Sequence, residues 1–200
     1  MMSMVDVIKA TDELTAGREL AVTTGVGTHQ SLVARHFTFD HSARQFITSA
    51  GHGTMGFGVP AAVGAWVAGV ELVLCFNGDG SMDMDLPHLF ALARLGANVK
   101  VIVLDNARYG IVHQYEGMQG LDHVATVRRE PRHYARVASS MGVDAAFCGT
   151  LPVFRSALAT ALKRCRPHLL HVLVSEVGVW PVLEGGNRPS KMTGEGRWTT

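Results

Sequence analysis

Two short stretches hold side chains whose types and spacing fit one chemistry. Asn77-Gly78-Asp79-Gly80-Ser81 follows an apolar run that ends at Phe76 and sets a carboxylate between two glycines. Glycines let the backbone approach a phosphate with no Cβ in the way, and Ser81 offers a hydroxyl and an amide where a helix would begin. A carboxylate so placed suits a hard metal ion. The second stretch, Asp105-Asn106-Ala107-Arg108-Tyr109-Gly110, follows the next apolar run some two dozen residues on. One helix and one strand fit between Asp79 and Asn106, so adjacent parallel strands would present both side chains at the same edge. A carboxylate oxygen, an amide oxygen and a nearby backbone carbonyl make an all-oxygen set that suits magnesium, with water and diphosphate oxygens completing the shell; zinc would prefer nitrogen or sulfur. The plainer reading of Asp79 is a cap on the helix that follows it.

Short apolar runs rich in β-branched residues must position these stretches: Leu20 to Thr24, Gln45 to Thr48, Glu71 to Phe76, Val99 to Leu104 and Leu169 to Val174. They are continuous rather than alternating, which predicts strands buried on both faces. Between them, Pro60 to Val67, Leu86 to Leu95, Tyr134 to Met141 and Val153 to Cys165 carry helical patterns. Strands alternating with helices predict an α/β fold, a doubly wound and mainly parallel sheet with helices on both faces. Ligands in such sheets sit beyond the carboxyl ends of the strands. The polar stretch Gly117 to Arg132 reads as a long loop, ordering over a ligand or partner. Residues 1–184 are expected to form one domain and residues 185–200 a C-terminal arm.

Bulk composition narrows the classes. Lys plus Arg number 18 against 17 Asp plus Glu, which gives no reason to propose a nucleic-acid or anionic-membrane partner. Cys75, Cys148 and Cys165 lack CxxC spacing and predict a reducing cytoplasm; no run approaches the length of a membrane span. Two hundred residues, 47% of them hydrophobic, fill one ordinary domain.

In combination the motifs resemble the cofactor signature of thiamine-diphosphate enzymes, in which GDGS is followed at this spacing by an asparagine. Thr23-Thr24-Gly25-Val26-Gly27-Thr28-His29-Gln30 is similar to the TTxxGQHQ stretch of acetolactate (acetohydroxyacid) synthase large subunits. The segment from Ile47 through Gly53-Thr54-Met55-Gly56 to Ala62 resembles their ITSGGLGTMGFGLPAA, and Val179 to Gly186 resembles their V-x-P-M-x-x-x-G tail. The resemblance runs from about Ala21 to about Met192 and implies a C-terminal, diphosphate-binding domain. It implies that thiamine diphosphate and Mg2+ are the cofactors, with Asp79, Asn106 and the carbonyl of Arg108 as metal ligands. Gly27, His29 and Gln30 would sit at the diphosphate, with Gly53, Gly78, Gly80, Ser81, Gly110 and Ile111 as further cofactor contacts. Met55 would wedge beneath the thiazolium and bend the cofactor; Met55 and His29 are the implied catalytic positions. Read without the resemblance, Met55 could be core filler and His29 a surface histidine.

The same family needs a second domain that binds the aminopyrimidine and supplies an activating glutamate, and 200 residues do not hold both. The expectation is a separately encoded partner chain, since Met1 stands close to where such a domain starts, and hence a homo- or hetero-oligomer. The implied activity is decarboxylation or carboligation of a 2-oxo acid, acetolactate-synthase-like, with a simple decarboxylase of sulfopyruvate or phosphonopyruvate type as the alternative. A non-catalytic relative that keeps the fold is the rival from another class. A nucleotide-binding domain is disfavoured, because no GxGxxG turn directly follows the first strand and the GxxxxGK[ST] loop is absent. Departures from the acetolactate-synthase pattern fall at Thr28, at His52, and at Tyr115, which replaces a tryptophan in the stretch Val112-His113-Gln114-Tyr115-Glu116. His52 and His113 stand open between substrate contact and solvated loop, and Tyr115 between core and pocket.

Overall fold

The computed structural model describes residues 2–40, 43–123, 125–128 and 130–175. The arm expected from residue 185, the proposed boundary at residue 184 and the Val179 to Gly186 motif lie outside them.

Among the described residues six parallel strands form one sheet: β1 (Leu20–Thr24), β2 (Arg44–Ile47), β3 (Val73–Gly78), β4 (Val99–Asp105), β5 (Asp144–Cys148) and β6 (His168–Leu173), in the spatial order β2-β1-β3-β4-β6-β5. The doubly wound α/β class expected from the apolar runs is what forms. Helices α1 (Met4–Leu14), α2 (Thr28–His36) and α8 (Leu151–Ala161) cover one face through Val7, Ile8, Val33, Phe154 and Leu158. Helices α3 (Gly58–Val67), α4 (Asp79–Asp85), α5 (Leu89–Leu95) and α7 (Tyr134–Ser140) cover the other through Val59, Ala62, Met82, Leu92 and Tyr134. The strands feed both layers alternately, Leu74 and Phe76 to the first, Val73 and Cys75 to the second. A central strand with helices on both sides therefore has no solvent face to make polar, and its sequence is an unbroken apolar run.

Lys100 is the exception inside β4. It is fully buried, yet its ammonium donates to the carbonyls of Arg164 and Arg166 at 2.8 and 2.6 Å, so the charge is satisfied by the end of the α8–β6 connection.

Four elements carry weak sequence signals. Helix α1 starts at Ser3 with a capping box, the Ser3 hydroxyl accepting from the Asp6 amide at 3.1 Å while the Asp6 carboxylate accepts from the Ser3 amide at 2.9 Å. Helix α2 begins inside the motif read as a ligand loop. Strand β5 is a short edge strand with Phe147 exposed. The stretch Gly117 to Arg132 is not wholly loop: α6 (Gly110–Gln119) runs into it, and Val127 pairs with Arg108 as an antiparallel bridge. Helix α6 buries none of its residues, so it lacks the apolar stripe by which helices are recognised. Among the described residues no helix is long and apolar enough to cross a membrane.

Candidate active site

The chain turns from one side of the sheet to the other between β1 and β3, because α2 packs on one face and α3 on the opposite one. Ligand crevices open at such switch points, beyond the strand ends. Here the turns after β1, β3 and β4 line a cavity of about 160 Å³. Gly27, Thr28 and His29 come from the first turn, Gly78, Asp79, Gly80 and Ser81 from the second, and Asn106, Arg108, Gly110 and Ile111 from the third. Met55 enters from the segment before α3, its methyl lying where a Cβ on Gly80 would stand 3.4 Å away. Residues from three separate turns between Gly27 and Ile111 are thus gathered at one mouth. Two expected contacts lie elsewhere. Gln30 donates to the Thr48 hydroxyl at 2.7 Å, and Gly53 is exposed at the end of a short 3₁₀ turn; neither lines the cavity. His52 and Tyr115 are also exposed and outside it. Asn77 is structural: its amide donates to buried Asp85 at 2.6 Å.

His29 shows why glycines flank this site. A Cβ on Gly27, whose φ is +151°, or on Gly78 would stand 2.9 Å from His29 Nδ1. Both glycines are therefore required for the ring to lie flat against two backbone turns. The imidazole is buried, which lowers its pKa to about 4 against the opposing pull of a bond to the Gly25 backbone. Among the described residues its Nε2 has no partner, and neither does the buried hydroxyl of Thr28; both residues line the cavity. Because the folded-state pKa lies below the unfolded value, stability from neutral His29 is present above about pH 6.5 and lost as pH falls toward 4. Between pH 7 and pH 5 the expected loss is about 2 kcal/mol. Urea unfolding of the parent chain and His29→Gln at both pH values should show that increment in the parent alone; parallel changes would refute it.

Asp79 is the first residue of α4, as a cap reading allows, but its carboxylate is engaged elsewhere. Arg128 reaches across from the segment after α6 and donates to Asp79 at 2.9 Å and to Asp105 at 2.6 Å. His171 approaches the second oxygen of Asp105 at 2.9 Å, and the Tyr134 hydroxyl lies 3.1 Å from Arg128. Burial and the charge of Asp105 push the Asp79 carboxyl up to about 7, although Arg128 pulls it down. Burial would raise Asp105 too, but its bonds to His171 and Arg128 hold it below the usual range. Two buried carboxylates thus share one guanidinium. The turn beside them is strained: Ala107 sits at φ +57°, held by a bond from its amide to Asp105 at 2.9 Å and one from the Arg128 amide to its carbonyl at 2.8 Å. Asn106 keeps its amide oxygen inside the same turn, accepting from the Arg108 amide at 3.3 Å. No local pattern singled out Arg128, Asp105 or His171.

Comparison with known proteins decides the family. The model of the thiamine pyrophosphate enzyme C-terminal TPP-binding domain matches residues 25–172. The chain belongs to that family. Acetolactate synthase isozyme 2 large subunit of Escherichia coli (strain K12) is 37% identical over 177 residues, 87% of this chain and 32% of that protein. The mitochondrial acetolactate synthase catalytic subunit of Aspergillus candidus is 37% identical over 167 residues, 82% of this chain and 24% of that protein. The chain therefore spans a third or less of these relatives. Rhodococcus jostii RHA1 thiamine diphosphate-dependent 4-hydroxybenzoylformate decarboxylase superposes with a TM-score of 0.79 over 88% of this chain and 33% of that one, at 21% identity, a likeness of fold.

The residues at the cavity fit the family's cofactor. Nε2 of His29 and Oγ1 of Thr28 are buried polar atoms with no partner among the described residues, and Asp79 with Asn106 would offer hard oxygen donors to a cation beside them. The cavity is smaller than the usual 300 Å³ or more of a small-molecule site, so this TPP-binding domain encloses one end of a ligand rather than the whole of it.

Proposed function

We propose that this domain holds the diphosphate of thiamine diphosphate through a magnesium ion ligated by Asp79, Asn106 and the Arg108 carbonyl, as one half of a split 2-oxo acid decarboxylase or carboligase of acetolactate-synthase type. The observation that carries the reading is the convergence of His29 Nε2 and Thr28 Oγ1, without partners among the described residues, with Asp79 and Asn106 on one cavity at the sheet's switch point. When bound, the cofactor supplies the electron sink for cleavage next to the substrate carbonyl; the protein binds and orients it. Asp79 and Asn106 anchor the charge of the diphosphate. The backbone at Gly80 and Gly110 approaches closely, since a Cβ at either would stand within 3.0 Å of Tyr109 or of Thr28. Burial lowers the His29 pKa to about 4, so the imidazole is neutral near pH 7, and an anion against Nε2 would raise that pKa. Met55 would offer an apolar surface against the bound cofactor.

The aminopyrimidine half is supplied by a separate chain. Support comes from α6, which borders the cavity through Ile111 and Val112 yet buries nothing and exposes Val112, Tyr115 and Met118. An apolar strip of this kind next to a half-enclosed site fits a partner surface. The test is calorimetric titration of thiamine diphosphate with magnesium into the chain, alone and mixed with a candidate pyrimidine-domain chain, while carbon dioxide release from pyruvate is followed. Binding that tightens by roughly tenfold or more on mixing, with turnover, is the expected result. No binding in any mixture would overturn the reading.

A further inference from the structure

Away from the cavity, three side chains with metal-ligand chemistry converge where α6 ends. His113 and Glu116 lie one turn apart on α6 and His123 follows the helix; their ligand atoms all fall within 4.8 Å of one another. His123 Nδ1 is 3.2 Å from Glu116 Oε2. A tetrahedron with bonds of 2.0–2.1 Å has edges of about 3.3 Å, so that pair already stands at ligand spacing. The Thr126 hydroxyl donates to the same Glu116 oxygen at 2.6 Å and lies 3.2 Å from His113 Nδ1, so it links the helix pair. The two imidazoles stack with centroids 3.8 Å apart.

We propose that His113, Glu116 and His123 form a site for a transition-metal dication of the zinc class, with three protein donors, the fourth position open to water on the exposed His123 side, and Thr126 orienting the carboxylate. Two nitrogens and one carboxylate oxygen are borderline ligands, unlike the all-oxygen set at Asp79, so the two sites select different ions. His113 binds through Nδ1 and carries its remaining proton on Nε2. Arg108 Nη1, 3.2 Å from Nε2, then turns toward solvent, because two donors cannot face each other. The ion joins the end of α6 to the segment in which Val127 pairs with Arg108 and Arg128 meets Asp79, and so braces one wall of the cofactor cavity.

The test uses the untagged 200-residue chain. Equilibrium dialysis against zinc should retain one equivalent, and cobalt should produce visible d–d absorption of tetrahedral intensity. His123→Ala and Glu116→Gln, both on the solvent side and checked by circular dichroism, should each weaken zinc binding by at least roughly tenfold and abolish the cobalt bands. Asp79→Asn should leave both signals intact, which separates this site from the magnesium site. Failure to retain zinc, or zinc and cobalt signals unchanged in His123→Ala, would overturn the proposal without touching the cofactor reading.

Discussion

Asp79→Ala should abolish magnesium-dependent binding of thiamine diphosphate, lowering affinity by about a hundredfold or more, or about 3 kcal/mol. The carboxylate is the one charged member of the proposed ligand set, and Asn106 with a backbone carbonyl offers only dipoles to a doubly charged ion. Asp79→Asn, which keeps the shape and removes the charge, should behave almost as badly. Folding should survive both changes. Burial and Asp105 already push the Asp79 carboxyl up, so the group is held at a cost, and after its removal Arg128 still has Asp105 at 2.6 Å and Tyr134 at 3.1 Å. Calorimetry at fixed magnesium, with a thermal melt beside it, distinguishes the cases. Unchanged affinity in Asp79→Ala would remove that residue from the ligand set.

Arg128→Met should have opposite effects on the empty and the magnesium-loaded protein. In the empty protein the guanidinium is the cation between Asp79 and Asp105, each with a side chain about 5% exposed. Removing one partner of a buried ion pair leaves uncompensated charge and costs about 3 kcal/mol or more. His171 relieves Asp105 in part, through its contact at 2.9 Å. A magnesium ion at Asp79 then has no guanidinium to displace, so its binding should tighten while the empty protein melts earlier. Melting curves with and without magnesium should therefore show a larger magnesium-induced rise for the variant than for the parent. Equal rises, or a variant as stable as the parent without magnesium, would show that Arg128 is not the counter-charge at this site.

The two ligand stretches were legible because their chemistry is local. A strand buried on both faces must be apolar throughout, so Leu74 to Phe76 and Val101 to Leu104 announce themselves, and the turns that follow inherit a fixed place beyond the carboxyl edge. Glycines at 78 and 80 bracket Asp79 because backbone and ring crowd there, and crowding of that sort leaves its mark on residue type. The register completes the inference, since Gly78 pairs with Leu104 and so brings the residues after both strands side by side.

Arg128, Asp105 and His171 illustrate what needed the tertiary structure. A carboxylate at the end of β4, an arginine after α6 and a histidine inside β6 share no periodicity, and each taken alone reads as a solvated charge or a strand residue. They meet because β6 inserts between β4 and β5, an order that neighbouring residues do not encode. Helix α6 escaped for the converse reason: a helix that buries nothing has no apolar period to display. Its His113 and Glu116 reach His123 and Thr126 only after the chain turns back on the helix end. The sequence by itself determined the fold class and pointed to most of the residues that line the cavity mouth, though not to its edges, where Gln30 and Gly53 lie outside, because burial and close backbone approach constrain residue type at those positions. Only the tertiary structure decided which charges neutralise one another there, because pairing across the sheet depends on strand order and on where the connecting segments fold back.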